Sequence, residues 1–275
     1  MNYKKMALLP IALLIICTIY LIFIIETNQL AVDIDFKGGT QIQIEYDKQV
    51  SEVDLETILK QYDAGVRTAK GVTTYTIFIE FDSSIKAEDV LKTLSQNGYN
   101  FVDYSIQTIG PSLGKEFFQQ AMFALMFSFI FMAVVIFFIF RIPVPSFFLV
   151  LVVIADLVEA LTFSQIFGVN LSLASFTALL LLIGYAVDDN ILMITRMLKS
   201  EDKNYDRIIK TSFKTGITMV GTALVALFAL FIISASVVID QIASVLIIGL
   251  LVDLLNSWVL NVGLMTWYVD RKLRK

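Results

Sequence analysis

The sequence has no histidine, a single cysteine (Cys17) and only four prolines in 275 residues. Without histidine there can be no HExxH zinc site, no Ser-His-Asp triad and no imidazole proton relay. One cysteine in an apolar run excludes a disulfide framework and a cysteine metal cluster. None of these metal sites or catalytic sets is therefore expected, and no cofactor is expected either. Charge is scarce as well: 17% of the residues are charged, against roughly 25% in a soluble domain. Hydrophobic residues make up 57% and the mean hydropathy is +0.77, which rules out an ordinary cytosolic protein. Any chemistry must fall to carboxylates, lysine, arginine, hydroxyls or backbone.

The apolar residues gather into six runs, at 6–25, 119–140, 145–166, 173–194, 215–236 and 241–265. Each is long enough to cross about 30 Å of hydrocarbon as a helix. The first follows Lys4 and Lys5, but it is too long for a signal peptide and lacks a small-x-small cleavage site, so it reads as a retained anchor. Basic residues near span ends favour the cytoplasmic side. With the N-terminus inside, 13 of the 21 basic residues fall on cytoplasmic segments, and the short outer loops 167–172 and 237–240 carry none. Both termini are expected to be cytoplasmic in a cell membrane. The organisation expected is the first span in 1–25, an outside segment 26–118, and a five-helix domain 119–275 with a cytoplasmic loop 195–214.

The segment 26–118 carries 15 acidic and 8 basic residues and is too regular for a linker. Residues 41–46 alternate as a strand, with Ile42, Ile44 and Tyr46 on one face. Ser51 is placed to cap a helix whose Leu55, Ile58, Leu59 and Tyr62 fall at helical spacing. A short extended piece at 66–69 turns at Gly71 into a strand at 73–81. Ser84 is expected to open a second helix with Ala87, Val90, Leu91 and Leu94 inward, stopped at Asn97-Gly98, and 101–109 reads as a last strand. The order β-α-β-β-α-β is ferredoxin-like. The fold class expected is a polytopic α-helical membrane protein with six transmembrane helices and an extracytoplasmic α+β ferredoxin-like domain between helices one and two.

Ionisable residues inside the spans are costly and so are functional candidates. Span three carries Asp156 and Glu159 on one face. Span four carries Asp188, Asp189 and Asn190, with Asp189 about 10 Å from Arg196 at the cytoplasmic edge. Span six carries Asp253 on a stripe with Asn256, Ser257 and Asn261. Lys214, at the start of span five, is the nearest cation. Desolvation disfavours the charged form of a carboxyl, so these groups are expected either to pass protons between helices or, protonated, to join helices by hydrogen bonds. Asp188 points about 100° away from Asp189. A lone six-span unit is also expected to leave Asp156 and Asp253 facing lipid unless a similar six-span partner covers them.

Small residues at Gly184, Gly216, Thr218, Gly221, Thr222 and Gly249 are expected to allow close helix approach, and Gly38-Gly39 to serve a turn or bulge. The basic stretch from Arg196 to Lys214, with Ile208, Ile209 and Phe213, fits an amphipathic helix on an anionic lipid surface better than a nucleic-acid site.

Three motifs add a resemblance. Asp35-Phe36-Lys37-Gly38-Gly39-Thr40 follows the first span, Gly110-Pro111-Ser112-Leu113-Gly114-Lys115-Glu116 precedes the second, and Gly184-Tyr185-Ala186-Val187-Asp188-Asp189 precedes Arg196. With six spans and a ferredoxin-like domain, the chain resembles the SecF family of the Sec protein-export machinery, within the resistance-nodulation-division superfamily. The resemblance implies an accessory to the Sec channel, paired with SecD, that uses the proton gradient to draw exported polypeptides outward. It matches Asp189 to the family's proton-conducting carboxylate, with Asp188 in place of the usual Asn. Asp156 matches the aspartate of a His-Asp pair in which Ala155 stands for His, and Lys214 stands for an arginine. Asp253 matches nothing acidic in the bacterial pattern. These departures resemble archaeal members. Two other classes fit some features: a proton-driven exporter of lipids or small molecules from the same superfamily, and an intramembrane aspartyl protease. The protease would need a Gly-x-Gly-Asp sequence, which is absent.

Overall fold

The computed structural model describes residues 6–46, 50–70, 75–99, 101, 103–199, 204–234 and 236–273. Lys4, Lys5, Lys203, Arg274 and Lys275, the turn at Gly71 and the strand start at Thr73 lie outside the described residues. The first helix, α1 (Leu8–Glu26), leads to a short helix α2 (Ile34–Lys37) and strand β1 (Gly39–Tyr46). Helix α3 (Glu52–Leu59), strands β2 (Gly65–Lys70) and β3 (Tyr75–Phe81), helix α4 (Ala87–Gln96) and strand β4 (Tyr104–Ile109) come next. The long helices α5 (Pro111–Phe140), α6 (Pro143–Ile166), α7 (Leu173–Lys199) and α8 (Tyr205–Ile233) form spans two to five. Span six is α9 (Val237–Leu255), a π-helical turn (Asn256–Asn261) and α10 (Val262–Leu273).

Among the described residues, six helices are thus long and apolar enough to cross a membrane, and they divide into two kinds. In the most apolar stretch of spans three, four and six, 50–56% of residues are buried within the chain, against 11–22% in spans one, two and five. Spans three, four and six are the centre of the bundle, and the other three present large apolar side chains such as Ile16, Phe131 and Ile233 outward. The shared core runs through Ile136, Leu149, Leu182, Ile194 and Leu250. The intramembrane carboxylates therefore sit on the central helices.

The inserted domain is a four-stranded antiparallel sheet in the order β2-β3-β1-β4, the arrangement that the β-α-β-β-α-β order implies. Alternation along β1 and β3 puts Ile42, Ile44, Ile77 and Ile79 on one face, where they pack against Leu55 and Leu59 of α3 and Val90, Leu91 and Leu94 of α4. Ser51 caps α3 by accepting the backbone N–H of Asp54 at 3.4 Å. Ser84 does not open α4. The carboxylate of Asp82 takes the N–H of Ser84 at 2.8 Å, so residues 82–85 form a turn, and the helix starts at Ala87. The last strand starts at Tyr104 rather than at 101.

Three other expectations change. Span two begins at Pro111, eight residues before the apolar run, because Pro at the first helical position is preset for it. The described parts of the basic stretch, 196–199 and 204–214, form no separate surface helix. Spans four and five run on into it, and Ile208 and Ile209 are buried in the bundle core. Asp156 and Asp253 do not face lipid: both are fully buried within this chain, so no partner is needed to cover them. Of the small residues, Gly216 and Gly249 do serve close approach, since a Cβ would lie 2.3 Å from Trp258 and 2.5 Å from Leu182 respectively. Gly184 and Gly221 meet nothing within 4 Å, and Thr218 and Thr222 bond carbonyls of their own helix.

Gly38 and Gly39 do more than turn the chain. Both have positive φ, +78° and +139°, and Gly38 lies against Pro111 at the start of span two. Beside them, Phe36 wedges edge-on against Phe118 and Phe176, at ring distances of 5.5 and 6.0 Å. The root of the inserted domain is thereby seated on spans two and four.

Candidate functional site

Two polar systems stand out. The first lies at the root of the inserted domain. Asp33 caps α2 with one oxygen and with the other accepts from Arg67 at 3.3 Å and from Gln241 at 3.2 Å. Arg67 also bonds Glu80, which takes Lys37 at 3.1 Å. Gln241, at the start of span six, accepts from Ser172 at 2.6 Å, and Ser172 and Ser175 cap the start of span four. Asp35 accepts the N–H of Leu173 at 3.0 Å, and Gln165 clamps both backbone groups of Ala31. Burial pushes the Asp35 carboxyl up from its ordinary value. The Leu173 N–H opposes this, and the nearby Asp33 and Glu80 charges add to it. The sheet is in this way bonded to the ends of the two spans, four and six, that carry Asp189 and Asp253.

The second system is the belt inside the bundle. Asp156 and Glu159 of span three are fully buried side by side, three residues apart on one face, as their spacing implies. Asn256 of span six donates one N–H to Oδ1 of Asp156 at 2.9 Å and the other to Oε2 of Glu159 at 3.0 Å. Ser257 donates to Asp253 at 2.8 Å, and Asn261 donates to Asn190 of span four. Asp189 is buried against span five, where Gly216 leaves room for it and for the Trp258 indole. The indole and Asp189 both stand beside Gly216, yet neither Trp258 Nε1 nor Asp189 Oδ2 completes a hydrogen bond among the described residues. Asp253, fully buried on span six three residues before Asn256, completes the belt. Among the described residues, no ion pair involves any of the four.

The π-helical turn explains how one helix reaches so many partners. A π-turn spreads about one extra residue over its length and rotates the face presented by the helix beyond it. Asn256 then meets span three, Trp258 meets spans four and five, and Asn261 meets span four.

The remaining residues singled out in the sequence lie elsewhere. Asp188 is exposed on the far side of span four with Leu181, Gly184 and Tyr185. Lys214 is exposed too. The inward face of span five is Ile209, Ser212, Gly216 and Val220, and Lys214 lies off it. Arg196 bonds Thr215 at 3.3 Å, tying the end of span four to the start of span five. Gly110 forms the cap of span two. The sequence reading passed over Trp258, Gln241, Asp33, Arg67 and Gln165. A tryptophan in mid-span, away from the interfacial belts where it is usual, is the one signal that marks Trp258.

A six-helix bundle with an inserted ferredoxin-like domain and a belt of buried carboxylates on its three central spans defines a multi-pass membrane protein with a polar core. The family described as "Protein export membrane protein SecD/SecF, C-terminal" matches residues 88–271, and the "SecD/SecF GG Motif" matches residues 34–50. The chain is 36% identical to the protein-export membrane protein SecF of Methanolacinia petrolearia, covering 98% of this chain and 94% of that one. It is 34% identical to SecF of Methanothermobacter thermautotrophicus, covering 98% and 93%. The fold matches the crystal structure of SecDF, a translocon-associated membrane protein from Thermus thermophilus, with a TM-score of 0.79 at 18% identity. That match covers 98% of this chain and spans 39% of the SecDF chain. The chain belongs to the SecF family of protein-export membrane proteins, in its archaeal form.

Proposed function

We propose that this chain is an accessory subunit of protein export that works with SecD and draws on the proton gradient to promote translocation of polypeptides. The observation that carries this reading is the carboxylate belt: Asp156, Glu159, Asp189 and Asp253 are buried on the three central spans, with no basic side chain bonded to them among the described residues. Carboxyls held in such a place are costly to keep as mere packing and are suited to taking up and releasing protons. Asp189 is the inner station, and Asp253, Asp156 and Glu159 form the deeper one. Neither Lys214 nor Asp188 faces Asp189, so both act outside the belt.

Both termini are cytoplasmic and residues 26–118 lie outside in this reading, which the distribution of basic residues supports. The SecD partner covers the stripe Leu181, Gly184, Tyr185 and Asp188, which is exposed at helical spacing and combines a glycine with a carboxyl that pairs with no cation among the described residues. The Sec channel, exported polypeptides and membrane lipid are the other expected contacts. The chain has no catalytic role and no cofactor in this reading.

Asp189→Asn keeps size and hydrogen bonding but cannot titrate. In inverted vesicles carrying the chain with its SecD partner, that variant should assemble normally and lose gradient-dependent stimulation of export. An undiminished response would make Asp189 a structural contact and sink the proposal.

A further inference from the structure

Asn256 lies where spans three and six meet, and its two N–H groups are shared between two carboxyls of one helix turn. The amide, Asp156 and Glu159 are all fully buried. Each carboxyl gives one oxygen to the amide. The other oxygen of each, Oδ2 of Asp156 and Oε1 of Glu159, has no hydrogen-bond partner among the described residues. Asn256 cannot itself change charge, and it holds one fixed hydrogen bond to each acid. The groups facing this pair are Asp253 from span six, the Cys17 thiol from span one and, through Asp253, Asp189 from span four. None of them is a cation.

We propose that Asn256 is the positioning residue that joins Asp156 and Glu159 into one proton-sharing pair, which rests on the functional reading by serving as the deeper station of its proton path. A proton carried on Oδ2 of Asp156 or on Oε1 of Glu159 leaves both amide bonds in place. The pair can therefore exchange its proton without rearranging the helices. Joined through one amide and buried together, the two carboxyls titrate as a unit in this proposal. The amide also fixes which oxygens are bonded and which are free. The π-helical turn that begins at Asn256 is the local feature that turns this side chain toward span three.

The test uses infrared difference spectra of the purified full chain in lipid, recorded between acid and neutral pH. Asp156→Asn and Glu159→Gln identify the carbonyl bands of the two protonated acids. With Asn256 present, Asp156→Asn should move both the band and the titration midpoint of Glu159, by about one pH unit, the size of one hydrogen bond to a charged group. In Asn256→Leu both carbonyl bands should move to higher wavenumber, because each acid loses its donor, and the two acids should no longer respond to each other's removal. Asn256→Asp, which has the same shape and adds a fifth carboxyl to the belt, guards against a folding artefact. It should keep the melting temperature closer to wild type and still displace both bands. Bands that stay in place in Asn256→Leu and Asn256→Asp, or acids that titrate independently in the wild type, would overturn the proposal.

The same variants measured in inverted vesicles should shift the pH profile of gradient-driven export. An Asp189→Asn chain that exports normally would defeat the functional reading alone, since the spectra decide the role of Asn256 without any export assay.

Discussion

Gly38 and Gly114 meet backbone to backbone: a Cβ added to Gly114 would stand 2.9 Å from the nitrogen of Gly38 and 2.9 Å from the carbonyl oxygen of Phe36. The glycine motif that opens the inserted domain and the glycine-proline motif that starts span two are thus two halves of one joint. Alanine at Gly114 must push the α2 backbone off the helix. Gly114→Ala should destabilise the full chain by about 1–3 kcal/mol, the usual range for overpacking a tight contact, seen as a lower melting temperature in detergent. Gly110→Ala is the control, because a Cβ there meets nothing within 4 Å, and it should melt like wild type.

Asp35 gives a prediction with a defined sign. Its carboxyl is pushed up in the folded chain, chiefly by burial, so the folded state holds its proton to higher pH than the unfolded chain does. Stability contributed by this group is present below the ordinary aspartate range and is lost as pH rises through the raised folded value. Asp35→Asn keeps an acceptor for Leu173 and removes the buried charge. Its melting temperature relative to wild type should be unchanged in strong acid, rise as pH passes through that window and level off above it. A difference that does not vary with pH would show that folding does not shift the Asp35 carboxyl.

Lys214 and Gly216 are two residues apart on span five and should behave in opposite ways. Lys214 is exposed and lies off the inward face, and surface changes away from special contacts are usually worth less than about 0.5 kcal/mol. Lys214→Ala should therefore leave gradient-driven export within about twofold of wild type. Gly216→Val should abolish it, because the added side chain occupies the place of the Trp258 ring and presses on Asp189. Loss of export in Lys214→Ala with retention in Gly216→Val would mean that the inner station lies elsewhere.

The inserted domain carries a core of its own, from Ile42 and Ile79 to Leu59 and Val90. Residues 33–109 expressed alone should give a mixed α/β circular dichroism spectrum and a cooperative melt. A helical or disordered fragment would show that the domain depends on its seat over spans two and four.

Much of the architecture was legible because its signals are local. Six apolar runs, the alternation at 41–46 and the helical spacing of Leu55, Ile58 and Leu59 each depend on a few neighbouring residues, and the structure bears each of them out. Where the reading slipped, a non-local or competing contact won. Asp82 displaced Ser84 as the group that organises the turn before α4. Packing of Ile208 and Ile209 against the bundle drew a stretch that resembles a surface helix into span five. Asp156 and Asp253 looked bare because a sequence shows which face a residue is on, not what lies against that face.

The sequence by itself determined the number of spans, the inserted α+β domain and the identity of the intramembrane acids, since hydrophobic period and unfavourable charge in hydrocarbon can be read one segment at a time. Tertiary structure alone decided which spans are central, that Lys214 is off the inward face of span five, and that Asn256 and Trp258 rather than a cation of the described residues lie beside the carboxylates. Those facts depend on how six helices rotate against one another. The rotation is set by close approaches such as Gly216 to Trp258 and by the π-helical turn in span six, and no local pattern of residues encodes either.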